Sequence, residues 1–149
     1  MLIADARRIL FTAALLLGAC TQPGPGVLTL APAGMRLGGT CTPHPDGTLT
    51  MAADASAESD VYVDAGTVTI TVTAATGTPR QSMSLELWFG GTSIGSQSVG
   101  SIELTAIPFH ARTRASGPVA IRLVAHEHSA GSAAASAMLD VEKVVITEP

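Results

Sequence analysis

The stretch Thr67-Val68-Thr69-Ile70-Thr71-Val72-Thr73-Ala74 alternates without a break. Successive side chains of an extended chain point to opposite faces, so Val68, Ile70, Val72 and Ala74 share one side and the four threonines the other. β-branched residues on both sides favour a pleated strand over a helix. The apolar side has to be covered by something, so this one strand already implies a second layer.

Outward from it, the same period recurs. Residues 84–89 place Leu85, Leu87 and Phe89 inward and Ser84, Glu86 and Trp88 outward. Gly90-Gly91 supplies the positive φ of a tight hairpin, and residues 93–99 form the return strand. Residues 102–107 are the next strand, with Ile102, Leu104 and Ala106 on one face. Pro108 ends it or puts it at a sheet edge. Residues 119–126 send Val119, Ile121, Leu123 and Ala125 inward, and Arg122 and His126 outward. Residues 138–147 close the domain, and their apolar parity shifts between Val141 and Val144, which predicts a bulge near Glu142. On the N-terminal side, 48–52 and 60–63 read as short strands. The small-residue run 129–136 reads as a loop.

About eight strands and no amphipathic helix define an all-β chain, a two-sheet β-sandwich of jelly-roll type over residues 48–149. Residues 20–47 are dense in Pro and Gly and read as a tether, with 27–31 as one edge strand.

The first nineteen residues read as a signal peptide. Arg7 and Arg8 precede an apolar run over 9–17 that is far shorter than the ~20 residues of a membrane-spanning helix. Leu17-Gly18-Ala19-Cys20 resembles the lipobox of bacterial lipoproteins. That resemblance implies cleavage before Cys20, lipidation of its thiol, and a firm membrane anchor of several acyl chains. Thr21, in place of an Asp, favours the outer membrane, so the expected location is the cell envelope. Cys41 is then unpaired: it stays free or joins another chain, and it pairs with Cys20 only if Cys20 carries no lipid.

The chain has a formal net charge of −4. Loss of residues 1–19 removes Asp5, Arg7 and Arg8, leaving six basic against eleven acidic side chains, a balance of −5. Such a balance excludes nucleic-acid binding through a basic patch. Catalytic signatures are missing from the sequence. No Gly-x-Ser-x-Gly elbow and no His-Glu-x-x-His occurs, and a sandwich of this size offers little cleft, so a binding protein is expected rather than an enzyme.

The order of features also resembles the calcium-dependent, xylan-binding type of carbohydrate-binding module, a β-jelly roll. The resemblance rests on Val63 to Ala74, on Leu85-Glu86-Leu87-Trp88-Phe89-Gly90-Gly91-Thr92-Ser93-Ile94-Gly95-Ser96, on Gly117 to Leu123, and on Met138 to Ile146. It implies a jelly roll and, through it, a polysaccharide ligand and a calcium ion. One departure bears on the calcium. Where such modules carry Asn-Asp after the penultimate strand, this chain has His126-Glu127-His128, and Glu142 stands near the place of an Asp.

Three groups of residues are candidates for chemistry. Trp88, with Glu86 and Ser84 on its strand face, has the composition of a sugar-stacking platform; the alternative is a tryptophan buried under a loop or between sheets. Asp60, Asp64, Asp140 and Glu142 would hold calcium if the sheet ends meet. His126 and His128 share a strand face and would hold zinc or copper with His110 or Glu103 as a further ligand. Three functions follow: an envelope-anchored polysaccharide-binding module, an assembly lipoprotein contacting another envelope protein, or a small periplasmic metal-binding protein.

Overall fold

A computed structural model of the chain describes residues 26–79, 81–128 and 137–149. The segment expected to be a signal peptide, the expected lipidation site Cys20 and the 129–136 run lie outside the described residues. Within them, the strands are β1 (Val27–Leu30), β2 (Arg36–Gly38), β3 (Cys41–Pro43), β4 (Leu49–Ala52), β5 (Ser56–Val63), β6 (Gly66–Thr76), β7 (Met83–Phe89), β8 (Thr92–Val99), β9 (Thr105–Thr113), β10 (Gly117–Glu127) and β11 (Met138–Thr147). A single 3-10 turn, Pro32–Gly34, joins β1 to β2.

These strands make two antiparallel sheets packed face to face. The first runs β3-β4-β11-β6-β9, with β1 also paired to β11, and the second runs β2-β5-β10-β7-β8. The alternation of β6 has the expected result. Val68, Ile70, Val72 and Ala74 are wholly buried, and the threonines beside them line the outer face of the first sheet. From the opposite sheet Leu85, Leu87, Ile121 and Leu123 meet them, also wholly buried. The core is aliphatic, with Phe89 and Phe109 at its margins. Burial of each such side chain contributes about 1.5–3 kcal/mol, which is the main force holding the layers together.

The turn chemistry follows the residues. Gly90 and Gly91 both have positive φ, 58° and 80°, as a two-residue hairpin requires. The parity shift in β11 is a bulge, with the register slipping between Val141 and Lys143.

Two expectations need correction. The segment read as a tether is built into both sheets from residue 27 onward. β1 pairs with β11, β2 with β5 and β3 with β4, and Pro32 and Met35 are buried. The Pro and Gly residues sit between strands of only three or four residues. They punctuate the chain there without preventing short edge pairings. The second correction concerns residues 102–113. Ile102 and Leu104 are exposed and precede β9, whose inward residues are Ile107, Phe109 and Ala111. Pro108 lies inside β9 and faces outward, which a sheet tolerates because β9 is its edge strand.

Candidate functional site

The outer face of the second sheet gathers most of the chemistry. Strand pairing sets Arg36, Glu58, Arg122, Trp88 and Ser93 in one row across β2, β5, β10, β7 and β8. The adjacent row holds Ser56, Val124, Glu86 and Ser96, and the next holds His126, Ser84 and Ser98. Directly opposite residues in such rows are ~4.5–5.5 Å apart at Cβ, so neighbours in a row interact.

Trp88 is half-buried on this outer face, with neither a core position nor full exposure. A bulge in β8 lies directly opposite it: Leu87 pairs with Gly95 and Trp88 with Ser93, which leaves Ile94 as the extra residue. Gly95 has φ 156°, a conformation that L side chains rarely adopt, and its missing Cβ suits the bulge. The indole N–H of Trp88 is buried without a hydrogen bond. It lies near enough to Glu86 to help hold that carboxyl down, though outside hydrogen-bond geometry.

Glu86 is the centre of a polar network. Ser93 Oγ donates to its Oε1 at 2.6 Å, and His126 Nε2 bonds Oε2 at 2.8 Å. These bonds, Ser93 first and His126 next, hold its carboxyl below the usual range. Ser84 and Ser96 exchange a short hydroxyl hydrogen bond beside it. Asp54 extends the network from the β4–β5 turn, with Oδ1 3.7 Å from His126 Nδ1. Its φ of 63° is the left-handed turn geometry that Asp tolerates, and its N–H donates to the Ala125 carbonyl at 2.7 Å. On the far side of the face Arg36 binds Glu58 at 2.7 Å and Asp60 at 2.8 Å. That pairing pulls Asp60 down and pushes Arg36 up. Val124 is buried on this outer face, 8% exposed, between those polar rows.

The expected metal sets lie apart. His126 belongs to the second sheet, and His110 sits on the outer face of the first, bonded through Nδ1 to Thr69 at 3.2 Å. His128 follows β10 at the sandwich end, and Glu103 lies in the turn before β9. Asp60 is held by Arg36 on the second sheet, and Asp64 lies in the β5–β6 turn. Asp140 and Glu142 are on β11 in the first sheet. Among the described residues no three His, Cys, Asp or Glu side chains gather closely enough to hold a metal ion. The four carboxylates therefore do not fit a shared calcium site.

Two other concavities stand on the described surface. One of about 630 Å³ lies against the first sheet, with His44, Asp46, Thr50, Leu104, Asp140 and Glu142 in its wall. There His44 Nε2 bonds Thr50 Oγ1, which donates to Asp140 at 2.6 Å. The other, about 740 Å³, lies beside Gly66 and is bordered by Arg112 and Arg114. Cys41 is free, and burial pushes its thiol up, so it is a poor nucleophile at neutral pH.

Sequence reading placed Trp88, Glu86 and Ser84 together, and they share the outer face of β7. Arg122 and His126 read as outward-facing on β10, but their partners did not read. Arg122 faces Trp88, and His126 reaches Glu86, because β10 pairs with β7. A strand's own pattern gives its faces and not its neighbours. Ser93 was likewise invisible as a partner of Glu86, because the β8 bulge sets its register.

No family model matches the sequence, and no curated protein matches it either. Solved structures do match in fold. A CBM36 domain of a multidomain xylanase, from the hindgut metagenome of Trinervitermes trinervoides, superposes with a TM-score of 0.63 at 14% identity, covering 83% of this chain and 96% of that one. A CBM36 carbohydrate-binding module in complex with calcium and xylotriose gives 0.57 at 19% identity, covering 80% and 97%. The C-terminal CBM6 of a marine laminarinase from Zobellia galactanivorans gives 0.55 at 13% identity, covering 83% and 100%. The fold is therefore the β-jelly roll found in carbohydrate-binding modules.

Proposed function

We propose that the chain is a non-catalytic module that binds polysaccharide on the outer face of its second sheet, displayed on the cell envelope through a lipidated Cys20. The observation that carries the binding role is Trp88, the chain's sole tryptophan, held half-exposed among Arg122, Glu86 and Ser93. A sugar ring stacks on an aromatic face, and hydrogen-bonding groups around it fix the orientation. The likeness to carbohydrate-binding modules supports the same reading. The anchor rests on Leu17-Gly18-Ala19-Cys20 and the signal-like residues before it.

A glycan array probed with the full chain, with and without calcium, is the first test. Binding is expected in both conditions, because Asp60 and Asp64 lie on or beside the second sheet whereas Asp140 and Glu142 lie on the first. The bound polysaccharide should protect Trp88 from acrylamide quenching. For the anchor, Cys20→Ser should remove fatty-acid labelling and membrane fractionation, and unchanged labelling would refute it.

One observation favours the envelope-assembly reading. Val27, Leu28 and Tyr62 are exposed together around a hollow of about 130 Å³ that Ile146 and Glu148 complete. If they form a protein contact, Tyr62→Ser should abolish a cross-link in cells that Trp88→Ala leaves intact.

A further inference from the structure

We propose that Arg122 makes the outer face of the second sheet selective for acidic polysaccharide, by pairing with the carboxylate of a uronate residue stacked on or next to Trp88. The inference rests on the reading of this face as the glycan platform.

Arg122 stands directly opposite Trp88 on one side and Glu58 on the other. Glu58 would neutralise it, yet the Glu58 carboxylate is held by Arg36 at 2.7 Å, and Arg36 also takes Asp60. The third carboxylate of the face, Glu86, is engaged by Ser93 and His126. Arg122 is exposed, and among the described residues its guanidinium makes neither an ion pair nor a hydrogen bond. The face thus carries one cation with an open fork of donors, placed directly opposite Trp88, while the exposed ring of Tyr62 stands further along β5 opposite Pro118.

A guanidinium binds a carboxylate through two parallel N–H···O bonds, a geometry that a hydroxyl cannot match. A uronate differs from the neutral sugar by having that carboxylate at the ring edge. With the ring over the indole, the group would lie within the span of one cross-strand neighbour, which is where Arg122 stands. Long-range attraction does not contribute, because the chain's net charge is −4. Recognition has to come from the short-range fork, so a lysine at the same place should not replace the arginine.

The test pairs each acidic polymer with its own carboxyl-reduced form, in which the carboxylates are alcohols and the backbone is unchanged. Glucuronoxylan, polygalacturonate and alginate are suitable probes, titrated against the full chain by tryptophan fluorescence and affinity electrophoresis. Wild type should prefer at least one acidic polymer over its reduced form by about tenfold, the scale of one charge-assisted hydrogen-bonded contact. Arg122→Gln and Arg122→Lys should both lose that preference while retaining Trp88-dependent binding of the reduced polymer. Equal binding of every acidic and reduced pair, still abolished by Trp88→Ala, would overturn the uronate inference and leave the glycan reading standing. Full selectivity in Arg122→Lys would overturn the fork. Absence of Trp88-dependent binding to any polymer, with an unchanged circular-dichroism spectrum, would overturn both.

Discussion

The outer faces of the two sheets differ in a way that their inner faces do not. Inward, both are aliphatic and closed. Outward, β6 presents Thr67, Thr69, Thr71 and Thr73, opposite Arg112, His110, Pro108 and Ala106 on β9. β7 presents Ser84, Glu86 and Trp88, each tied into or facing a polar row. Threonine on an outer face serves the strand: it is β-branched, tolerates water and suits the pleat. Glu86 is a poor strand former with both oxygens engaged, and Trp88, whose ring suits a strand, is left partly exposed where a purely structural aromatic would be covered. The difference separates positions that maintain the fold from positions available for recognition.

The largest expected effect lies inside the sandwich. Val72→Asp places a carboxylate at a wholly buried position of β6, at a cost of several kcal/mol against a typical total of about 5–15 kcal/mol. Thr71→Asp, one residue away on the outer face, should shift the thermal midpoint far less. Equal losses in thermal melts would mean that the threonine face is covered by a partner, and the comparison between the faces would fail.

The next effect should appear in binding and not in stability. Trp88→Ala is expected to weaken polysaccharide binding by more than tenfold, which is about 1.4 kcal/mol. The loss of stability should be well below the ~3–5 kcal/mol of a core aromatic, because Trp88 is half-buried and outside the core cluster. Thr71→Ala on the other face should leave binding unchanged. If Thr71→Ala weakens binding and Trp88→Ala does not, the recognition face has been assigned to the wrong sheet.

A smaller effect concerns Cys41 at the edge of the first sheet. Its Sγ lies 3.5 Å from the Gly38 carbonyl and 3.7 Å from that of Ser56, and its thiol is pushed up by burial. Labelling by a disulfide reagent at pH 7 should be slower than for a free cysteine in a peptide, and should accelerate as the pH rises. Fast labelling at neutral pH would show that β3 opens readily.

Much of this fold was legible because two-residue periodicity survives wherever one strand face is buried. β6, β7 and the inward half of β10 follow it directly, and even the β11 bulge left its mark as a parity shift. Residues 27–31 read as an edge strand, and β1 stands there, but the short strands β2 and β3 were not legible. Three residues between Pro and Gly carry no period, and they belong to the sheets through backbone pairing to β5 and β4. For the candidate site the limit was register. Trp88, Glu86 and Ser84 read as one group because they share a strand. Arg122, His126 and Ser93 joined them only when β10 and β8 were seen on either side of β7.

The smallest expected effect isolates the network that distinguishes the β7 face. The Glu86 carboxyl lies below its ordinary value of 4.5, chiefly through the Ser93 hydroxyl and next through His126. A carboxyl whose folded value is depressed stabilises the fold where the unfolded group is also ionised, and that contribution fades as the pH falls through the folded value. The stabilisation should therefore be fully present above about pH 4.5 and decline below it. Glu86→Gln removes the titrating group. The stability gap between wild type and Glu86→Gln, measured by urea denaturation at successive pH values, should be constant near neutrality and narrow as the pH drops below that value. A gap that stays constant down to pH 3 would mean that the bonds from Ser93 and His126 do not favour the ionised form. A gap that widens in acid would mean that the protonated carboxyl is the form the face prefers. The first result would make the β7 face no more specialised, electrostatically, than the threonine face opposite, and the second would reverse the sign of its effect on Glu86.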